Sequence, residues 1–352
     1  MFSNGVMINR HVLVLNLLLL AVIFCYAFTV FVNQDFDLTY LKSIFVGSIF
    51  FEIAAFSFLN KINNSNFIKM LSFVFVFQIL VSLIISLNVN ISNFVYSFIS
   101  LGQATHVDEL RESRIVGLGL SFFGAGSIYC IFLIILADSI GRKKDNLILF
   151  LCYIFIALVG IMISRTTVIG VIASIFLMVY RNNIYLIKYF IYLILVTFIF
   201  LPIIFIFFKN ERFLQFIDFG FDLFTDYENS QAKGSFDILI YMLENKLPDN
   251  LRTWMVGDGY FTSPGGGYYK TVDVGYLRLI YANGLIGLIV FLIINIYLVV
   301  FIDRKYVTNL GKFLIVFVFL ILNIKGVFSM FSILVPFFLI SNIRWKKEKP
   351  IN

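Results

Sequence analysis

The chain has 352 residues, 61% of them hydrophobic and 13% charged, and a mean hydropathy of +0.96. Soluble domains carry about 25% charged residues, so no soluble fold could hide this much apolar surface. The formal charge of +7 is scattered over short connections, which fits the positive-inside rule and excludes a basic nucleic-acid-binding domain.

A membrane span needs about 20 mostly apolar residues. Ten candidates follow in order: Val12–Val32, Tyr40–Leu59, Phe67–Leu87, Val116–Ala137, Leu147–Ile163, Thr166–Tyr180, Ile184–Phe208, Gly275–Ile302, Lys312–Ile324 and Val327–Ser341. The first is too long for a signal-peptide core and no small-residue cleavage site follows it, so it reads as a span. The fifth and sixth are short and meet at Ser164-Arg165. The last two are short and meet at Lys325-Gly326. Each junction reads as a tight hairpin or as a break in a longer helix. The even-numbered connections and both termini are basic and therefore expected in the cytoplasm; the odd-numbered ones are expected outside. Cys25, Cys130 and Cys152 all fall inside apolar runs and read as small core-filling residues; no metal site is indicated.

The predicted organisation has three parts. Residues 1–208 form a seven-span bundle, residues 209–274 a large external loop, and residues 275–352 a three-span part. The loop holds ten of the chain's 20 acidic residues against six bases. Phe213-Leu214, Phe216-Ile217 and Phe224 recur near helical spacing, as do Phe236, Leu239-Ile240 and Leu243, with Ser235 as an N-cap. Such amphipathic helices are expected to lie on the bilayer surface.

The residues able to carry chemistry cluster where water gives way to hydrocarbon. Arg165 offers a planar fork of donors suited to phosphate; the alternative is a snorkelling anchor at a helix end. Arg111 and Arg114 precede the fourth span, with Asp108, Glu109 and Glu112 as alternative loop partners. His106 reads as a solvated loop histidine. The stretch Gly257–Arg278 is glycine-rich and aromatic, and contains Asp258, Asp273, Tyr276 and Arg278. Asp273 and Arg278 could simply pair at a helix start, or act as a base beside an anion-binding arginine. In the second case the arginine should lower the pKa of Asp273 and weaken it as a base. Asp258 in GDG has a turn reading beside the functional one. Glu52 and Lys325 are lone charges in apolar runs, and Glu52 would also suit a transporter's proton relay.

These residues, in this order, resemble a family. Arg114 enters a glycine-rich span, Ser164-Arg165 sits at a short outer hairpin, and a large late loop ends in GDGYF and then VDVGYLRLIYANGLIGL. From Arg114 to Leu288 the chain is similar to Wzy-type O-antigen or capsule polymerases. The resemblance implies a GT-C-like fold in the bacterial inner membrane and a metal-independent glycosyltransferase with no cofactor. It implies a donor glycan on undecaprenyl pyrophosphate, a lipid-linked acceptor, and surrounding membrane lipid as partners, with a chain-length regulator as a further candidate. It implies Asp273 and Arg165 as catalytic residues, brought near each other. Arg111, Arg114, Asp258, Tyr276 and Arg278 would bind substrate. The related O-antigen ligases place a histidine near the position of Asp273, a departure that favours polymerase over ligase. A lipid-linked glycan flippase is the rival from another class; it would be expected to have two similar halves, which this chain lacks.

Overall fold

A computed structural model describes residues 6–34, 37, 39, 41–42, 47–50, 52–53, 66–97, 115, 122–142, 147–180, 210–225 and 231–345. Outside them lie most of the expected span Tyr40–Leu59, all of Ile184–Phe208, and also His106, Arg111 and Arg114.

The described residues form an all-α, membrane-embedded protein with one short two-stranded ladder. The elements are β1 (Val6–Ile8), α1 (Arg10–Asn33), α2 (Phe67–Leu87), α3 (Val89–Ser97), α4 (Phe122–Arg142), α5 (Leu147–Ile163), α6 (Thr167–Tyr180), α7 (Glu211–Thr225), α8 (Gln231–Asn245), α9 (Leu251–Met255), α10 (Gly275–Val300), α11 (Asn309–Lys325), α12 (Phe331–Asn342) and β2 (Ile343–Trp345). Among the described residues four helices, α1, α2, α4 and α10, are long and apolar enough to cross a membrane, and α5, α6 and α12 are shorter apolar helices. The chain divides into two compact units, residues 65–236 and residues 1–64 with 237–352.

In the unit 65–236 the centre is α4, almost wholly buried between α5 and α6. In lipid, helix association depends on close packing, which small residues allow. The α4 face carrying Gly126 and Cys130 meets Ser164 and Thr166 at the first and α6 at the second, where a Cβ added to Gly170 would lie 2.3 Å from the Cys130 Cα. The Cys130 thiol donates to the Thr166 carbonyl at 3.1 Å. The Ser164-Arg165 junction is a hairpin. A Cβ on Gly160 would lie 3.1 Å from Thr167 Cγ2, whereas seven residues of straight helix would separate them by about 10 Å. The amphipathic helix α7 packs on α5 and buries Phe216 and Phe219.

In the other unit α10 is the hub, in contact with α1, α9, α11 and α12. β1 and β2 pair antiparallel, Val6 opposite Trp345, so the two ends of the unit are joined. The Lys325-Gly326 junction is a true interruption. The side chain of Asn323 donates to the Phe328 carbonyl at 3.1 Å and accepts from the Phe328 N–H at 3.1 Å. Helix α8 contains the boundary between the two units; it begins at Gln231, so Ser235 lies inside it and is not its N-cap. Phe236, Ile238, Tyr241 and Leu243 on this helix are exposed.

Candidate functional site

The loop 256–274 is built by backbone that only a glycine-rich sequence supplies easily. Its tip closes through a Thr262–Tyr268 bridge and a turn in which the Gly266 N–H donates to the Ser263 carbonyl at 2.8 Å. Its base is seated in a break of α10. Gly284 has φ 66° and ψ −174° within the helix, and Gly257, with φ 84°, lies against it. A Cβ on Gly257 would sit 2.7 Å from the backbone nitrogens of Asn283 and Gly284. The interruption frees the Tyr281 carbonyl, which accepts from the Asp258 N–H at 2.6 Å. Interrupted backbone at membrane depth is tolerated only where other protein groups satisfy it, and the loop does so here.

Asp258 locks this arrangement. One carboxylate oxygen accepts from the Thr253 hydroxyl at 2.5 Å, and the other from the Tyr269 hydroxyl at 3.2 Å, with Lys270 Nζ 3.5 Å away. Tyr269 stacks on Tyr260, and burial beside Asp258 pushes its phenol up to about 12. The turn reading of Asp258 thus extends to a small polar core.

A second carboxylate, not singled out from sequence, pins the loop from the other side. Asp37 Oδ2 accepts from the N–H of Thr262 at 2.7 Å, from its hydroxyl, and from the Phe261 N–H at 3.3 Å. Its Oδ1 accepts from the Thr39 N–H at 2.8 Å. Burial alone would raise this carboxyl, but the hydrogen bonds from Thr262 and Thr39 outweigh it and hold it below the usual aspartate value.

The clamp fixes Phe261, and Phe261 holds Arg278. The guanidinium carbon lies 3.9 Å from the centre of the Phe261 ring and 4.0 Å from that of Tyr268. A cation between two aromatic faces is attracted to both while keeping its edge donors available. The Arg278 side chain is 10% exposed, and its Nε has no hydrogen-bond partner among the described residues. Asp273 approaches only to 4.0 Å and its side chain is half exposed. Desolvation raises the Asp273 carboxyl; Arg278, Lys325 and a hydrogen bond from Tyr268 pull it back, and the net direction is upward. The sequence expectation was the reverse. The long contact and the sharing of the Arg278 charge with two rings explain why the arginine does not win.

Arg278 and Phe261 line a cavity of about 370 Å³, whose other walls include Val22, Phe291, Phe331, Ser48 and Ser329. Asn295, on the far side of the Gly284 break, lines it too, so α10 contributes to the cavity wall from both sides of the break. A cation facing a largely apolar cavity suits an amphiphile with an anionic head.

Two predicted site residues have structural work. Tyr276 donates to the Leu320 carbonyl at 2.6 Å and ties α10 to α11. Arg165 belongs to the other unit, where its Nε donates to the Phe219 carbonyl at 2.8 Å and its guanidinium lies 4.2 Å from the Phe219 ring centre. It holds α7 to the hairpin, with Ser164 buried beside it. The structure brings Asp273 and Arg278 together, with Asp258 in the same loop. Sequence reading missed Asp37, Phe261 and Tyr268, and saw Lys325 only as an isolated charge. No family model matches the chain, and no curated protein or solved structure matches it.

Proposed function

We propose that this chain is a polytopic glycosyltransferase that polymerises lipid-linked oligosaccharide repeats at the outer face of a bacterial inner membrane. In this reading it has ten spans and a GT-C-like arrangement, both termini are cytoplasmic, and the loop 209–274 is external. The observation that carries the reading is Arg278: a buried guanidinium whose Nε has no partner among the described residues, held between two rings, facing a mostly apolar cavity. An undecaprenyl diphosphate would place its diphosphate on the arginine and the start of its hydrocarbon chain in the cavity.

The reaction follows from those placements. The acceptor hydroxyl attacks the anomeric carbon of the donor. The bond from that carbon to the diphosphate oxygen breaks, a glycosidic bond forms, and the hydroxyl proton passes to Asp273. The raised pKa of Asp273 suits a base, and a positioned carboxylate contributes about a hundred- to ten-thousand-fold. Arg278 stabilises the charge on the departing diphosphate, where one preorganised donor is worth about 3–4 kcal/mol. The chemistry needs neither metal nor nucleotide sugar. Arg165 remains a second proposed catalytic arginine, and Arg111 and Arg114 further candidates for binding substrate. In cells lacking the protein, surface glycan should stop at a single repeat per carrier; full-length polymer in that strain would refute the reading.

One observation favours the flippase alternative. Discontinuous membrane helices commonly line transport sites, and α10 is discontinuous at Gly284. Here the break receives backbone from Met255 to Gly257 of the same unit, which supports a seat for the loop over a substrate path.

A further inference from the structure

The start of α10 and the end of α11 meet backbone to backbone. A Cβ on Gly275 would lie 2.5 Å from the Gly326 carbonyl carbon and 2.6 Å from its oxygen. Asp273 lies two residues before Gly275, and Lys325 immediately before Gly326, so both side chains leave the same corner as Arg278. The Asp273 carboxylate accordingly feels both cations. Among the described residues the corner brings Arg278 and Lys325 to one carboxylate, where the start of α10 meets the end of α11. That carboxylate makes no close ion pair with Arg278, at 4.0 Å, although the arginine is nine-tenths buried and its Nε has no partner among the described residues. Charge-assisted contacts of an engaged guanidinium are normally about 2.7–2.9 Å.

We propose that Arg278 and Lys325 form a two-cation subsite for a diphosphate, and that Asp273 occupies it in the ligand-free protein and is displaced when the diphosphate arrives. This rests on the diphosphate reading of Arg278 and extends it in two ways. Lys325, on a different helix, supplies the second positive charge, so that each phosphoryl group meets one cation. Asp273 is first a placeholder and then, released from both cations, the group that meets the acceptor hydroxyl. The base is exposed to the acceptor only once a donor is bound, which couples proton removal to donor occupancy.

The test is binding by the full chain in lipid nanodiscs, without turnover. The probes are inorganic pyrophosphate in solution and a polyprenyl diphosphate carried in the disc. Asp273→Asn removes the placeholder and should tighten both probes about fivefold, the equivalent of one solvent-screened ion pair of about 1 kcal/mol. Lys325→Ala should weaken both about tenfold, and Lys325→Arg should restore them. The lipid-borne probe should bind more tightly than pyrophosphate in every variant, because the cavity takes its chain. Asp273→Asn binding no tighter than the unaltered protein would overturn the placeholder role, and unchanged binding by Lys325→Ala would overturn the second cation. Should Lys325→Ala fail to fold, Lys325→Gln serves with the same expectation. This pattern without any glycan lengthening would keep the subsite and refute the polymerase; lengthening without this pattern would do the opposite.

Discussion

Replacing Gly284 by alanine should unseat the loop that carries the site. Its φ of 66° with ψ of −174° lies in a region that only glycine occupies without strain, which costs another residue about 1–3 kcal/mol. The new Cβ would also stand 2.2 Å from the Met255 oxygen, 2.4 Å from its carbonyl carbon and 2.6 Å from the Val256 nitrogen. All three are backbone atoms, which cannot rotate aside. Overpacking of this kind costs about 1–3 kcal/mol more, so the seam between α9 and α10 should lose about 2–6 kcal/mol. Helix α9 is five residues long and should give way first, taking with it the bond from the Asp258 N–H to Tyr281. Detergent-solubilised protein should then melt earlier in a fluorescence size-exclusion assay, and limited proteolysis should cut between residues 256 and 274. Gly257→Ala should behave alike, since its Cβ meets the same seam from the other side. Gly265→Ala is the control: nothing lies within 4 Å of its Cβ position and its φ is ordinary. A Gly284→Ala protein that melts and resists protease like Gly265→Ala would refute the reasoning.

Three further outcomes are expected. Arg165→Lys loses both the bond to the Phe219 carbonyl and the guanidinium–ring contact, so it should reach near-normal protein level yet restore little polymer; full activity would mean that any cation suffices there. Asp37→Asn turns an amide toward the donors of Thr262 and Phe261, each charged hydrogen bond being worth about 1.5–3 kcal/mol before solvent screening, and should expose the loop to protease. Because the Asp37 carboxyl is lowered by folding, its contribution is complete above the ordinary aspartate value and fades as pH falls through the lowered one. Loop protection in the unaltered protein should therefore fail only in strong acid, and in Asp37→Asn it should be weak and flat with pH. Asp273, faced by Arg278, Lys325 and Tyr268, titrates above its ordinary value. The acid limb of the lengthening rate should accordingly lie above the ordinary aspartate range, and a limb within or below that range would remove Asp273 as the base.

The helices were legible because apolar runs declare themselves. Phe67–Leu87 and Leu147–Ile163 have the bounds read from sequence. Helix α4 runs on past the expected end at Ala137 to Arg142, where Asp138 and Arg142 pair one turn apart at 3.3 Å; residues 116–121 of the expected span lie outside the described residues. The break in α10 was hidden inside an apolar run, although Asn283-Gly284 is a turn-forming pair that could have marked it. The pairing of Asp273 with Arg278 could be read because five positions separate them. Asp37 with Thr262, more than two hundred positions apart, could not, because neither residue differs in type from any other loop polar residue. Lys325 looked isolated in its own run, and only the contact between the ends of two helices gives it company.

The most direct test supplies purified protein, reconstituted in vesicles, with undecaprenyl-diphosphate-linked repeats on one side of the bilayer, and follows both glycan length and sidedness. Chain lengthening without translocation is expected, abolished by Arg278→Ala in protein that still folds. Translocation without lengthening would contradict the polymerase and install the flippase in its place.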